Sequence, residues 1–73
     1  MQTIETTFAE NVKRLLRLND WTQVELAEEL GVAPQNLSRT LACVHSPSLR
    51  FVERVADIFQ VEICELLSKN AGN

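Results

Sequence analysis

The run from Thr22 to Pro34 leaves this chain little freedom in how it folds. Thr22-Gln23-Val24-Glu25 is a capping box: the threonine oxygen accepts from the glutamate amide, and the glutamate carboxylate accepts from the threonine amide. The helix it starts carries Leu26, Ala27 and Leu30 inward and Glu25, Glu28 and Glu29 outward. Gly31 supplies the left-handed residue that a helix C-terminus prefers. Only Val32 and Ala33 follow before Pro34, whose fixed φ suits the first turn of a new helix. Two short helices joined by a tight glycine turn are therefore expected in the middle of the chain.

The rest reads as helix too. Thr7-Phe8-Ala9-Glu10 forms another capping box, and Phe8, Val12, Leu15 and Leu16 recur on one face. That first helix should end near Asn19-Asp20, both poor interior helix formers. Trp21 is read as an apolar anchor between helices one and two. The third helix, residues 34–42, turns Leu37 and Leu41 inward and leaves Gln35, Asn36, Ser38, Arg39 and Thr40 polar. Val44-His45-Ser46-Pro47 is a loop, and Ser48 caps a fourth helix with Leu49, Val52, Val55, Ala56 and Phe59 as its core stripe. A short last helix, Ile63 to Ser68, supplies Ile63, Leu66 and Leu67, and the tail Lys69 to Asn73 frays. No stretch alternates with period two long enough for a strand. The expected fold is all-α with five helices, a single domain over 1–73 and an ordered core about 7–68.

Composition narrows the function. With 73 residues, 45% of them hydrophobic and 23% charged, the chain resembles an ordinary globular domain with a marginal core. No apolar run exceeds four residues, too short for a membrane span or a signal-peptide core. A cytoplasmic location is therefore expected. Cys43, Cys64 and His45 are too few and badly spaced for zinc, so two reduced thiols and no metal or cofactor are expected. No glycine-rich phosphate loop, catalytic triad or paired carboxylate is apparent, which argues against an enzyme. The net charge of −3 and pI near 5.0 run against the basic footprint of a nucleic-acid binder. Position qualifies the sum, because Ala33 to Val52 holds Arg39, Arg50 and His45 and no acid. An acid-free window in an acidic chain points to a face kept for an anionic partner.

The segment Trp21-Thr22-Gln23-Val24-Glu25-Leu26-Ala27-Glu28-Glu29-Leu30-Gly31-Val32 resembles the Cro-like phage repressors, the xenobiotic-response-element type of helix-turn-helix protein. Pro47-Ser48-Leu49, Val55-Ala56 and Val61 to Leu67 match that family's fourth and fifth helices, so the likeness covers about residues 8–67. The resemblance implies a lambda-repressor-like domain that binds double-stranded DNA and regulates transcription, as a homodimer on a palindromic operator. Residues 34–42 would be its recognition helix in the major groove. Arg39 suits guanine and Gln35 suits adenine, each bidentate, while Pro34 can touch a thymine methyl. Gln23 matches the family's phosphate-clamping glutamine at a helix N-terminus. Asn36, Thr40, His45 and Ser46 are further phosphate candidates.

The chain also departs from the family pattern. A helix-one arginine and a recognition-helix glutamate that often pair are here Leu16 and Leu41, a joint exchange that leaves no stranded charge. The two leucines are expected to meet. Cys43 replaces a usual glycine, Thr40 a usual apolar residue, and Val44-His45 a usual basic pair. Leu18, Val24, Phe51, Ile58 and Cys64 are apolar where the family is polar. Phe51, Ile58 and Leu67 are accordingly expected at a dimer interface. The depleted basic loop and extra apolar residues also suit a second reading, a protein-interaction module of antirepressor or antitoxin-like kind.

Overall fold

The first helix starts a turn before the Thr7 capping box. Thr3 is its N-cap, accepting from the Thr6 amide at 3.2 Å, and the Thr7 amide already bonds back to the Thr3 carbonyl at 3.0 Å. Thr7 itself is buried inside the helix. Either threonine can cap, but the earlier start adds a full turn of backbone hydrogen bonds. The computed structural model describes residues 3–69, so Asn70 to Asn73 of the expected fraying tail lie outside the described residues. It contains α1 (Ile4–Leu18), α2 (Gln23–Leu30), α3 (Pro34–Leu41), α4 (Leu49–Phe59) and α5 (Ile63–Leu67), with no strand among the described residues.

Every helix gives its apolar stripe to one core. Phe8, Val12 and Leu16 come from α1, Leu26, Ala27 and Leu30 from α2, and Leu37 and Leu41 from α3. Val52, Val55 and Ala56 of α4 and Leu66 of α5 complete it. α1 packs on α3 and α5, α2 packs on α3 and α4, and α4 packs on α5. Leu16 and Leu41 both lie in this core on helices that pack together, so an apolar pair stands where a buried ion pair would need full compensation. Trp21 reaches further than a link between α1 and α2: its ring lies 5.8 Å from that of Phe59 and so ties the α1–α2 turn to the end of α4.

Two expected core residues are on the surface. Leu49 is 80% exposed, because it is the first residue of α4 and the stripe there runs beyond the elements that cover it. Ile63, the first residue of the five-residue α5, is likewise exposed, and only Leu66 of that helix is fully buried.

Four helices end in the same way. After α1, α2, α3 and α4 a residue with φ between 58° and 71° turns the chain: Asp20, Gly31, Cys43 and Gln60. At each, paired backbone bonds close the turn, as in Val44 N–H to the Arg39 carbonyl (3.0 Å) and Cys43 N–H to the Thr40 carbonyl (3.1 Å). This is the Schellman arrangement, and only one of its four left-handed positions is glycine.

Side chains satisfy two more helix ends. Arg54 of α4 donates to the Leu30 carbonyl at the end of α2, a cation at the negative pole of a helix. Asn11 is buried in α1, and its amide donates toward the carbonyls of Glu65 (3.2 Å), Leu66 (2.7 Å) and Ser68 (3.1 Å). Those carbonyls have no partner within so short a helix. Asn11 therefore holds α5 in place.

Candidate nucleic-acid interface

α3 is short and strongly two-sided. Leu37, Thr40 and Leu41 are buried, and Pro34, Gln35, Asn36, Ser38 and Arg39 are exposed. At about 100° per residue, Gln35 and Arg39 stand only about 40° apart and directly opposite the buried side. Ser38 and Ala42, both exposed, share that outward stripe. From the sequence, Ser38 is placed only among the polar residues of this helix and Ala42 is omitted, although the period of α3 suffices to find both. Pro34 and Asn36 flank the stripe. Among the described residues, no hydrogen bond or ion pair takes up the side chains of Gln35 or Arg39. Ala42 apart, the stripe is polar and uncommitted, and the opposite side of the helix is buried in the core.

The backbone before α3 explains its orientation. Gly31 (φ 71°) ends α2, and Ala33 opens α3 with extended φ and no side-chain cap. Pro34 lacks an amide to leave unpaired, and the Asn36 amide bonds to the Ala33 carbonyl at 3.0 Å. A polar cap is therefore unnecessary at this end. Gln23 is the first residue of α2 and half-buried, immediately after the Thr22 cap. Both halves of the expected capping box form there: Thr22 N–H to Glu25 Oε1 at 2.9 Å and Glu25 N–H to Thr22 Oγ1 at 3.1 Å.

Two expected phosphate contacts are otherwise engaged. Thr40 faces the core, 7% exposed, and its hydroxyl donates to the Asn36 carbonyl at 3.1 Å. It satisfies its polar atom within the helix and is removed from the interface. Ser46 donates to Glu5 Oε2 at 2.6 Å. That bond, with help from Glu5's own backbone amide, holds the carboxyl below its usual pKa. The window from Ala33 to Val52 is free of acid in sequence but not in space, because α1 delivers Glu5 to its loop. His45 and Val44 remain exposed beside it. Cys43, also exposed, takes the left-handed turn where glycine is usual, so the end of α3 keeps the ordinary shape.

Phe51, Ile58 and Leu67 are half-buried against the chain's own core, with the Phe51 ring edge-on to Phe8 at 6.3 Å. Among the described residues no helix is long and apolar enough to cross a membrane. A family model described as helix-turn-helix matches residues 12–66. No curated protein and no solved structure gives a significant match.

Proposed function

This chain belongs to the helix-turn-helix family, of the Cro and xenobiotic-response-element type, a DNA-binding rather than a catalytic family, and we propose that it is a sequence-specific repressor of transcription. The observation that carries the reading is the uncommitted stripe of Gln35 and Arg39 on a helix whose other side is locked into the core. In the major groove, Arg39 pairs with guanine O6 and N7 and Gln35 with adenine N6 and N7, while Pro34 meets a thymine methyl. Gln23, Asn36 and His45 fix the register on phosphates. Ser46 acts indirectly, by tying the loop to α1 through Glu5.

We also propose that it binds as a homodimer to a palindromic operator. Recognition helices that read one face of DNA stand about 34 Å apart, and this chain supplies one such helix, α3, so the two halves of a palindromic site call for two copies. Selection of bound duplexes from a random library is the test. A palindromic site that Arg39→Ala and Gln35→Ala no longer retain supports the reading.

One observation favours a protein partner instead. The loop after α3 sets a charged Glu5 and an exposed Val44 where a phosphate clamp would want cations. If no duplex is enriched, and weak binding vanishes in moderate salt, the protein-interaction reading replaces the operator.

A further inference from the structure

The first turn of α1, the loop before α4, the first turn of α4 and the end of α5 enclose a small apolar groove. Ile4, Phe8, Pro47, Leu49, Val52 and Leu67 form its walls, and its volume is about 90 Å³. Small-molecule sites run to about 300–1,000 Å³, so this groove has room for little more than one aliphatic side chain. Two of its own lining residues are largely uncovered: Leu49 is 80% exposed and Ile4 is 58% exposed. Hole and projecting side chain thus share one rim.

An acid lines the groove and a base follows Leu49 in the chain. Glu5 lines the groove from α1, ionised and held by the Ser46 hydroxyl. Arg50 stands beside Leu49 on α4, exposed, with no partner for its side chain among the described residues. A two-fold axis across the groove sets the α4 wall of one copy against the α1 wall of the other, base against acid. A two-fold contact is self-complementary by necessity, and this rim carries both halves of each complement.

We propose that this groove is where two copies of the chain meet, Leu49 of each seated in the groove of the other and Arg50 of each facing the opposite Glu5. The inference rests on the homodimer reading and names its surface. It moves the contact from Phe51 and Ile58, which serve the chain's own core, to the neighbouring face on which Leu67 also lies. A foreign peptide would have to supply both the aliphatic residue and the matching charges, whereas a second copy brings them already placed.

Sedimentation equilibrium of the full chain over a range of concentrations tests this, with far-UV circular dichroism as the folding control. The expected result is a two-chain mass for the wild type and a dimer dissociation constant raised about 100-fold or more by Leu49→Glu. Glu5→Arg is expected to weaken the dimer, and Glu5→Arg with Arg50→Glu to restore it. That exchange decides the matter if Leu49→Glu fails to fold, since absence of recovery overturns the groove. A wild-type dimer that Leu49→Glu leaves as tight as before overturns the groove while the homodimer stands. A one-chain mass at every concentration and on the selected duplex overturns both.

Discussion

Asp20, Cys43 and Gln60 hold a backbone conformation that costs an L-residue about 1–2 kcal/mol. They hold it because the turns they make close the carbonyl ends of their helices and set the next helix against the core. Gln60→Gly is therefore expected to stabilise the fold by about 0.5–1 kcal/mol, the relief of strain less the entropy gained by the unfolded chain. Thermal denaturation should show a melting temperature higher by a few degrees. Gly31→Ala is the mirror experiment. An added Cβ there meets nothing within 4 Å, so a loss of about 1 kcal/mol would come from φ alone. The Leu16 and Leu41 positions make a different point. Leu41→Glu puts a charge into the core without a cation to meet it, and an unfolding midpoint lower by at least about 3 kcal/mol in stability is expected. An unchanged midpoint would mean that the glutamate has reached solvent and that the core does not need an apolar residue there.

Element by element, two devices that satisfy helix ends are of opposite kinds. The capping box of α2 is local: Thr22 and Glu25 satisfy one another across three residues, and every donor and acceptor is visible in the sequence. Asn11 is the opposite, a side chain on α1 that closes a helix more than fifty residues away. α5 has five residues, too few to persist alone, so its order is borrowed from α1. Asn11→Ala is expected to cost about 1–3 kcal/mol by leaving the buried carbonyls unpaired. Hydrogen exchange should then speed up in α5 before it does in α2 or α3. Uniform loss of protection across all five helices would show instead that α5 is not a separately opening unit.

Over the whole molecule, charge and function pull in opposite directions. The chain carries −3 overall, and the proposed DNA-facing side, α3 and the loop after it, offers only Arg39 and His45 as cationic groups. Few phosphates can be neutralised by so small a set. If each chain meets two or three, the plot of log binding constant against log salt has a slope of about −2 to −3 per chain. Measured by fluorescence anisotropy on the selected operator, a slope much steeper would require cations from elsewhere on the surface. A shallow slope leaves affinity to base contacts and, under the homodimer proposed above, to the joining of two copies, so sequence discrimination should survive salt better than in a strongly basic DNA-binding protein.

What could be read from the residues alone is what short-range physics settles. The capping box at Thr22, the stop at Gly31 and the restart at Pro34 locate α2 and α3 and turn Leu37 and Leu41 inward. From the same periodicity Gln35 and Arg39 emerge as the outward pair, and the family resemblance along Trp21 to Val32 follows from these residues too. Only the tertiary structure decided matters that depend on which element lies opposite. Thr3 rather than Thr7 caps α1: both satisfy the local rule, the earlier start adds a turn of backbone hydrogen bonds, and Thr7 lies buried within the helix. Leu49 is left uncovered among the described residues while Phe51 and Val52 of the same turn pack inward, although the helical period alone assigns it to the core. Thr40 turns inward and Ser46 finds Glu5, forty-one positions away in the chain. Hydrophobic period and capping chemistry act within a turn or two of helix, so they are written in the order of the residues. Contacts between distant segments depend on how five stripes share one core, and that arrangement exists only once the chain has folded.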